Sequence, residues 1–202
     1  MPDISKHEAV IQAIESGTYA TLGLRIGSQT VTPGLKVSKQ ETRTTPTLFA
    51  PSTPLAPGTY TLIAIDIDAP YFSWNVLSPI VHWIQTGFVV PSQKTEGEPE
   101  SEPGAEQSQE TATNQDNDAL VELKSTDSVI VPWLPAGPPP GTAPHRYVFA
   151  LYKQTPGASV PGAGGLKGLP KSRLGRMRFD VEGMVGQLGL GEVVAGNYFV
   201  CN

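Results

Sequence analysis

This sequence predicts a mostly β fold in which antiparallel strands carry the core and a few helices lie at the periphery. Its apolar residues come in short runs, most of them too brief for a helix, and turn residues bound each run. Glycine and proline are abundant, at 21 and 20 residues, which favours many turns over a helical bundle. With 202 residues and 39% hydrophobic content, the chain is long enough for one packed domain, 1–202, and short for two.

The chain opens on a helix. In "ISKHEAVIQAIES" the residues Ile4, Val10, Ile11 and Ile14 recur at helical spacing, with Ser5 placed as the cap. Strands follow in "YATLGLRI", "PTLFA", "YTLIAID", "IVHWIQTGFVV", "DSVIVPW" and "HRYVFALYK", separated by turn chemistry. "SRLGRMRFDVEGMVGQLGL" returns to a looser helical pattern broken by glycines, and "EVVAGNYFV" supplies a last strand.

Charge is unevenly spread. Residues 94–118 hold eight acids against one lysine and no large apolar side chain. Such a stretch cannot bury enough surface to offset the entropy of ordering it, so residues 92–119 are expected to form a mobile surface insertion between two strands. Without residues 94–118 the 19 acids and 14 bases become 11 and 13, and a formal charge of −5 turns to +2. No apolar run reaches the roughly 20 residues that span a bilayer, and "MPDISKHEAVIQAIESG" lacks the basic start and apolar stretch of a secretory leader. A soluble, cytoplasmic protein is expected. The one cysteine, Cys201, leaves no internal disulfide and excludes a cysteine-rich metal site.

Three polar clusters interrupt apolar surroundings, each at or beside a strand end. Asp66 and Asp68 close the run "YTLIAIDIDAP", and residues two apart on a strand share a face, so the two carboxylates are expected side by side. His82 lies within "SPIVHWIQTGF", and His145 within "GPPPGTAPHRYVF". Two carboxylates and two imidazoles near strand ends suggest one pocket that holds anions or moves protons. Taken singly, His82 is equally a satisfied core histidine and Asp66 equally a turn cap.

In order and spacing, "YTLIAIDIDAP", "VHW", "GPPPGTAPHRYVFALY" and "LGEVVAGNYF" resemble the phosphatidylethanolamine-binding protein family, also called the Raf kinase inhibitor protein family. The resemblance covers most of the chain outside 91–126. The family's Asp-Pro-Asp-Ala-Pro motif is met by Asp66, Ile67, Asp68, Ala69 and Pro70, and Gly-Pro-Pro-x-Gly-Thr-x-x-His-Arg-Tyr is met in full from Gly137 to Tyr147. The wording of "PHRYVF" and "GRMRFDVEGM" looks most like the intracellular fungal branch. The resemblance implies a large antiparallel sheet packed on a smaller one, and a pocket for phosphate or a phospholipid head group. Its ligand-binding residues would be Asp66, Asp68, Pro70, His82, Gly137, Pro138, Pro139, His145 and Tyr147, with the acids ordering the histidines or meeting a head-group amine. It also implies a cis Ser78–Pro79 bond. Ile67 stands where the family has proline and Tyr71 where it has serine, and the sequence stops at Asn202 without the C-terminal helix of animal relatives, which implies a more open mouth and puts a kinase-inhibitory surface there in doubt.

Two function classes follow. The first is a binding or regulatory module that docks on a kinase, a protease such as a serine carboxypeptidase, or another partner. The second is an enzyme or accessory protein of fungal secondary metabolism that assists ring-forming dimerisation of anhydride-containing, maleidride-type polyketides, with Asp66, Asp68, His82 and His145 as candidate catalytic groups. No nucleophile elbow, phosphate-binding glycine loop or metal-ligand spacing is present, so no cofactor or metal is implied; "GAGGLKGLP" lacks the preceding strand of a nucleotide loop. Lys167, Lys171, Arg173, Arg176 and Arg178 form a basic stretch read as a solvated loop, with peripheral contact to anionic lipid as the functional alternative. No aromatic platform is interleaved with these bases, which argues against nucleic acid.

Overall fold

The computed structural model describes residues 2–90, 121–157, 161 and 163–202, so the acidic stretch at 92–119 lies outside the described residues. Among the described residues nine strands and two α-helices follow one another as α1 (Ser5–Glu15), β1 (Ala20–Thr21), β2 (Gly23–Ile26), β3 (Gln29–Thr30), β4 (Leu35–Lys36), β5 (Thr47–Phe49), β6 (Gly58–Asp66), β7 (Ile80–Val90), β8 (His145–Gln154), α2 (Val181–Gln187) and β9 (Leu190–Cys201). The large sheet has the order β1-β9-β8-β6-β7, with β4 also on β9, and the small sheet the order β3-β2-β5. The long strands β9, β8, β6 and β7 are antiparallel as expected, but the short β1 and β4 both join β9 in parallel, which makes the large sheet mixed.

The apolar runs form strands because both faces of the large sheet are covered. On one face Tyr60, Leu62 and Ala64 of β6 pack with Phe149 and Leu151 of β8 against Leu24 of β2 and Leu48 of β5 in the small sheet. On the other, Ile63 and Ile65 meet Ile11 of α1 and Val181 and Met184 of α2. Residues 61–69 are therefore buried without a break, and the run reads as continuous rather than alternating. Burying each such Leu, Ile or Phe contributes about 1.5–3 kcal/mol, so the long central strands hold most of the stabilising surface. Gly196 of β9 lets α1 approach: a Cβ there would sit 2.9 Å from Ile14 Cδ1 and 3.0 Å from the Phe149 carbonyl oxygen.

Several local expectations change in the fold. "YATLGLRI" is two strands, because the chain leaves the large sheet after β1 and joins the small one at β2. "DSVIVPW" is not a strand; it follows the edge of β7 through isolated bridges such as Ile84 to Val131. The pattern in 172–190 yields a 3-10 turn at Leu174–Arg176 and the short α2, capped by the Asp180 side chain accepting from the Gly183 N–H at 2.8 Å. Ser5 is the first helical residue rather than the cap. Ile4 takes the cap position, and Asp3 Oδ1 accepts the Ser5 N–H at 2.9 Å. The Ser78–Pro79 bond is cis, and so is Ala69–Pro70. No described helix is long and apolar enough to cross a membrane.

Candidate functional site

The site forms where β6 ends and β7 and β8 begin. Asp66, the last residue of β6, pairs in register with Ile80 at the start of β7 and with Tyr147 two residues into β8. These three side chains border a cavity of about 250 Å³, completed by His82, Leu134, Pro135, Ala136, Gly137, Arg173 and Met177.

Asp66 and Asp68 take different partners. The strand ends at Asp66, so alternation no longer governs Asp68, and Asp66 Oδ1 instead accepts the Asp68 N–H at 2.9 Å to turn the chain. Asp68 is fully buried away from the cavity and is gripped by Arg146: its Oδ2 accepts from the backbone N–H and Nε at 2.8 Å each, and its Oδ1 from Nη2 at 2.7 Å. Glu8 of α1 adds a 3.1 Å contact to the same Nη2, which ties the N-terminal helix to the site. A forked guanidinium on a carboxylate is among the stronger polar contacts because two parallel bonds fix its geometry.

His145 stands behind the cavity wall. Its Nδ1 meets Asp66 Oδ2 at 2.9 Å and its Nε2 meets the Pro70 carbonyl oxygen at 3.1 Å. A ring between a carboxylate and a carbonyl faces two acceptors, an arrangement that favours the doubly protonated imidazolium. Burial opposes that charge, but the bond and the attraction to Asp66 outweigh it and raise the His145 pKa above the usual histidine value. The side chains of the pair are 1% and 4% exposed, which places this charge balance inside the protein.

His82 is the complementary case. Trp83 pairs with Ala64 and Val81 with Ile65, so His82 is the extra residue of a β-bulge in β7. Bulges re-aim side chains beside functional sites. Here the ring meets Trp133 at 5.8 Å and Tyr147 edge-on at 5.0 Å. Its Nδ1–H donates to the Leu134 carbonyl at 2.6 Å, while the Leu134 N–H returns a bond to the His82 carbonyl at 2.8 Å. Burial lowers the His82 pKa, so the ring is neutral and its Nε2 is a lone-pair acceptor with no hydrogen-bond partner among the described residues. Burial likewise raises the Tyr147 pKa beyond its ordinary range, with the nearby Asp66 charge adding to it, and keeps the phenol protonated.

Of the residues expected in the pocket, Asp66, His82, Gly137 and Tyr147 line the cavity. Pro70 supplies the carbonyl that holds His145, Pro138 accepts from Lys39 Nζ at 2.8 Å, and Pro139 accepts from the Thr142 hydroxyl at 2.9 Å. These three and Asp68 are not among the residues that line the cavity. Arg173 and Met177 enter the cavity from the segment read as a solvated loop. Arg176 of the same segment donates to the Val81, His82 and Pro132 carbonyls and holds that segment on β7. Nothing in the local sequence distinguishes Arg173 from its basic neighbours. Among the described residues no group of three or more His, Cys, Asp or Glu side chains is arranged to hold a metal ion.

Comparison with known proteins agrees with this architecture. A carboxypeptidase Y inhibitor solved with its cognate proteinase superposes with a TM-score of 0.64 at 20% identity, covering 98% of this chain and 92% of that one. A phosphatidylethanolamine-binding protein from Plasmodium vivax gives 0.60 at 18% identity, covering 100% and 97%. At such identities the likeness concerns the fold. A Talaromyces stipitatus protein named "Phomoidride biosynthesis cluster protein N" is 44% identical over 63 residues, a stretch that spans only 31% of this chain and 31% of that protein, and its fungal source agrees with the wording of the motifs. The sequence matches the family description "Phosphatidylethanolamine-binding protein" over residues 15–199, nearly its whole length, and the chain therefore belongs to the phosphatidylethanolamine-binding protein family.

Proposed function

We propose that this protein is a binding module for small anions of the phosphate or phospholipid-head-group class, held in the cavity beside Asp66. The observation that carries this reading is the charge balance of the cavity: the His145 imidazolium neutralises Asp66, His82 is neutral, and Arg173 supplies a cation with no salt-bridge partner among the described residues. Arg173 would hold the anion, the Tyr147 hydroxyl would donate to it, and Asp66 or His82 Nε2 would accept from a head-group amine. The volume is below the roughly 300–1,000 Å³ of pockets for drug-sized ligands, so a head group fits and acyl chains do not. Regulatory docking on a kinase or serine carboxypeptidase would be the output; the fold shared with a carboxypeptidase Y inhibitor supports it by analogy. A cytoplasmic setting fits the lone buried Cys201.

The local match to the phomoidride cluster protein favours a second reading, in which the same cavity takes a dicarboxylate or anhydride-type polyketide intermediate. Arg173 would then bind a carboxylate, and His82 Nε2, its lone pair set by the Nδ1 bond, would be the proton acceptor. Calorimetric titration with O-phosphorylethanolamine and with a dialkylmaleate separates the two. Charge-assisted bonds are worth about 1.5–3 kcal/mol, so Arg173→Ala should weaken the true ligand by about 10-fold to 100-fold. An unchanged affinity in that variant would sink both readings of the cavity.

A further inference from the structure

One wall of the cavity is built from Leu134, Pro135, Ala136 and Gly137, within the segment "PWLPAGP" at 132–138. No ladder holds this segment: no strand is present between Val131 and His145, and three of its seven residues are prolines, which carry no backbone N–H. Bonds to distant residues fix its place instead. From one side, Leu134 exchanges two bonds with His82 of β7, and Arg176 donates to the Pro132 carbonyl at 3.0 Å.

From the other side the wall hangs on one buried threonine. Thr42 lies on a 3-10 turn, Glu41–Arg43, between β4 and β5, and is 0% exposed. Its carbonyl accepts the Trp133 indole N–H at 2.8 Å. Its hydroxyl accepts the Ala136 N–H at 3.1 Å and donates to the Lys39 carbonyl at 2.9 Å. Thr42 thus grips the chain on both sides of Leu134, whose carbonyl takes the His82 Nδ1–H at 2.6 Å, and it anchors the Trp133 ring that lies 5.8 Å from the His82 ring. A neutral imidazole carries one N–H, and the bond made at one nitrogen decides what the other presents.

We propose that Thr42 is a positioning residue for the cavity: by holding Trp133 and Ala136 it fixes the Leu134 carbonyl on the His82 Nδ1–H, and so sets the ring orientation and tautomer with which His82 meets a ligand. This rests on reading the cavity as a binding site. Thr42 does not line the cavity and acts only through the wall. Its hydroxyl is the group that matters, because it donates and accepts at once; a valine of nearly the same shape does neither, and a serine does both. Without that hydroxyl the Ala136 N–H is left buried and unpaired, and a shift of the wall is the relief open to it.

The test compares Thr42→Val with Thr42→Ser in the full chain. Imidazole NMR of the wild type should show a slowly exchanging His82 Nδ1–H and an unprotonated Nε2. Thr42→Val should speed exchange of that proton, and weaken O-phosphorylethanolamine binding by calorimetry, by about threefold to tenfold each, the range set by one lost neutral hydrogen bond. Thr42→Ser should restore both. Stability alone does not decide, since an unpaired buried N–H lowers it whether or not His82 moves. A folded Thr42→Val with unchanged His82 exchange and unchanged affinity overturns the proposal, and so does weakened binding that serine fails to rescue. Should Thr42→Val not fold, Trp133→Phe removes the other arm of the clamp, the bond to the Thr42 carbonyl, and must give the same faster His82 exchange; unaltered exchange in that variant also overturns the proposal. If the wild type gives no heat with O-phosphorylethanolamine, the head-group reading of the cavity falls, and the His82 proton in Thr42→Val and Thr42→Ser then supports or overturns the positioning role by itself.

Discussion

Asp66→Asn isolates the charge on His145 with little change in volume. The Asn carbonyl can still accept the Asp68 N–H, while its amide donates to His145 Nδ1, which leaves the ring neutral with Nε2–H on the Pro70 carbonyl. Removing one member of a buried ion pair usually costs about 3–5 kcal/mol, because the other charge is stranded. Here the ring can shed its proton and keep both bonds as neutral ones, so the expected loss is the difference between a charge-assisted bond, about 1.5–3 kcal/mol, and a neutral one, about 0.5–1.5 kcal/mol, which is about 1–1.5 kcal/mol. At a urea slope of about 2 kcal/mol/M, that shifts the unfolding midpoint by about 0.5–0.75 M. The pH dependence carries the decisive sign. His145 has a folded pKa above its unfolded value of about 6.5, so its stabilisation is complete below that pH and is lost as pH rises through the folded pKa. His7 and His82, whose pKa values burial lowers, act in the opposite sense below about pH 6.5; His7 is common to both proteins and cancels in the difference, whereas His82 loses the attraction of Asp66 in the variant and is lowered further, which adds to the gap only on the acid side. Urea titrations of the two proteins at about pH 6 and about pH 9 should show the gap narrowing toward high pH, and imidazole NMR should find His145 doubly protonated at neutral pH in the wild type only. A gap of equal size at both pH values would refute the imidazolium.

Arg146→Lys replaces the fork that grips Asp68 with a point charge, and about 2–3 kcal/mol of stability should be lost in chemical denaturation; Glu8→Gln, on the more exposed arm of the same network, should cost less than about 1 kcal/mol. Deleting 95–117 should leave the melting temperature nearly unchanged, since that composition offers no apolar anchor and loop closure changes by only about 0.6 kcal/mol per doubling of length; a drop of several degrees by calorimetry would show that the stretch packs on the body.

Sequence alone determined the β architecture, the long strands and the motif residues around the site. Those signals are local: turn residues punctuate runs whose length suits strands, and Gly137 to Tyr147 is a contiguous pattern. Tertiary structure decided the rest. Alternation predicted Asp66 and Asp68 side by side, but it does not encode their partners: Asp66 takes His145 and the Asp68 N–H, and Asp68 takes Arg146. The bulge that turns His82 toward Tyr147 comes from the register of β7 against β6, which no window of β7 encodes. "DSVIVPW" has strand composition, yet it meets the edge of β7 through isolated bridges rather than a continuous ladder. Arg173 enters the cavity because Arg176 anchors its segment on carbonyls of β7 and Pro132, residues more than 40 positions away. Periodicity records which side chains want burial, whereas the partner each polar atom finds depends on which distant strands and loops the packed core brings within hydrogen-bonding reach.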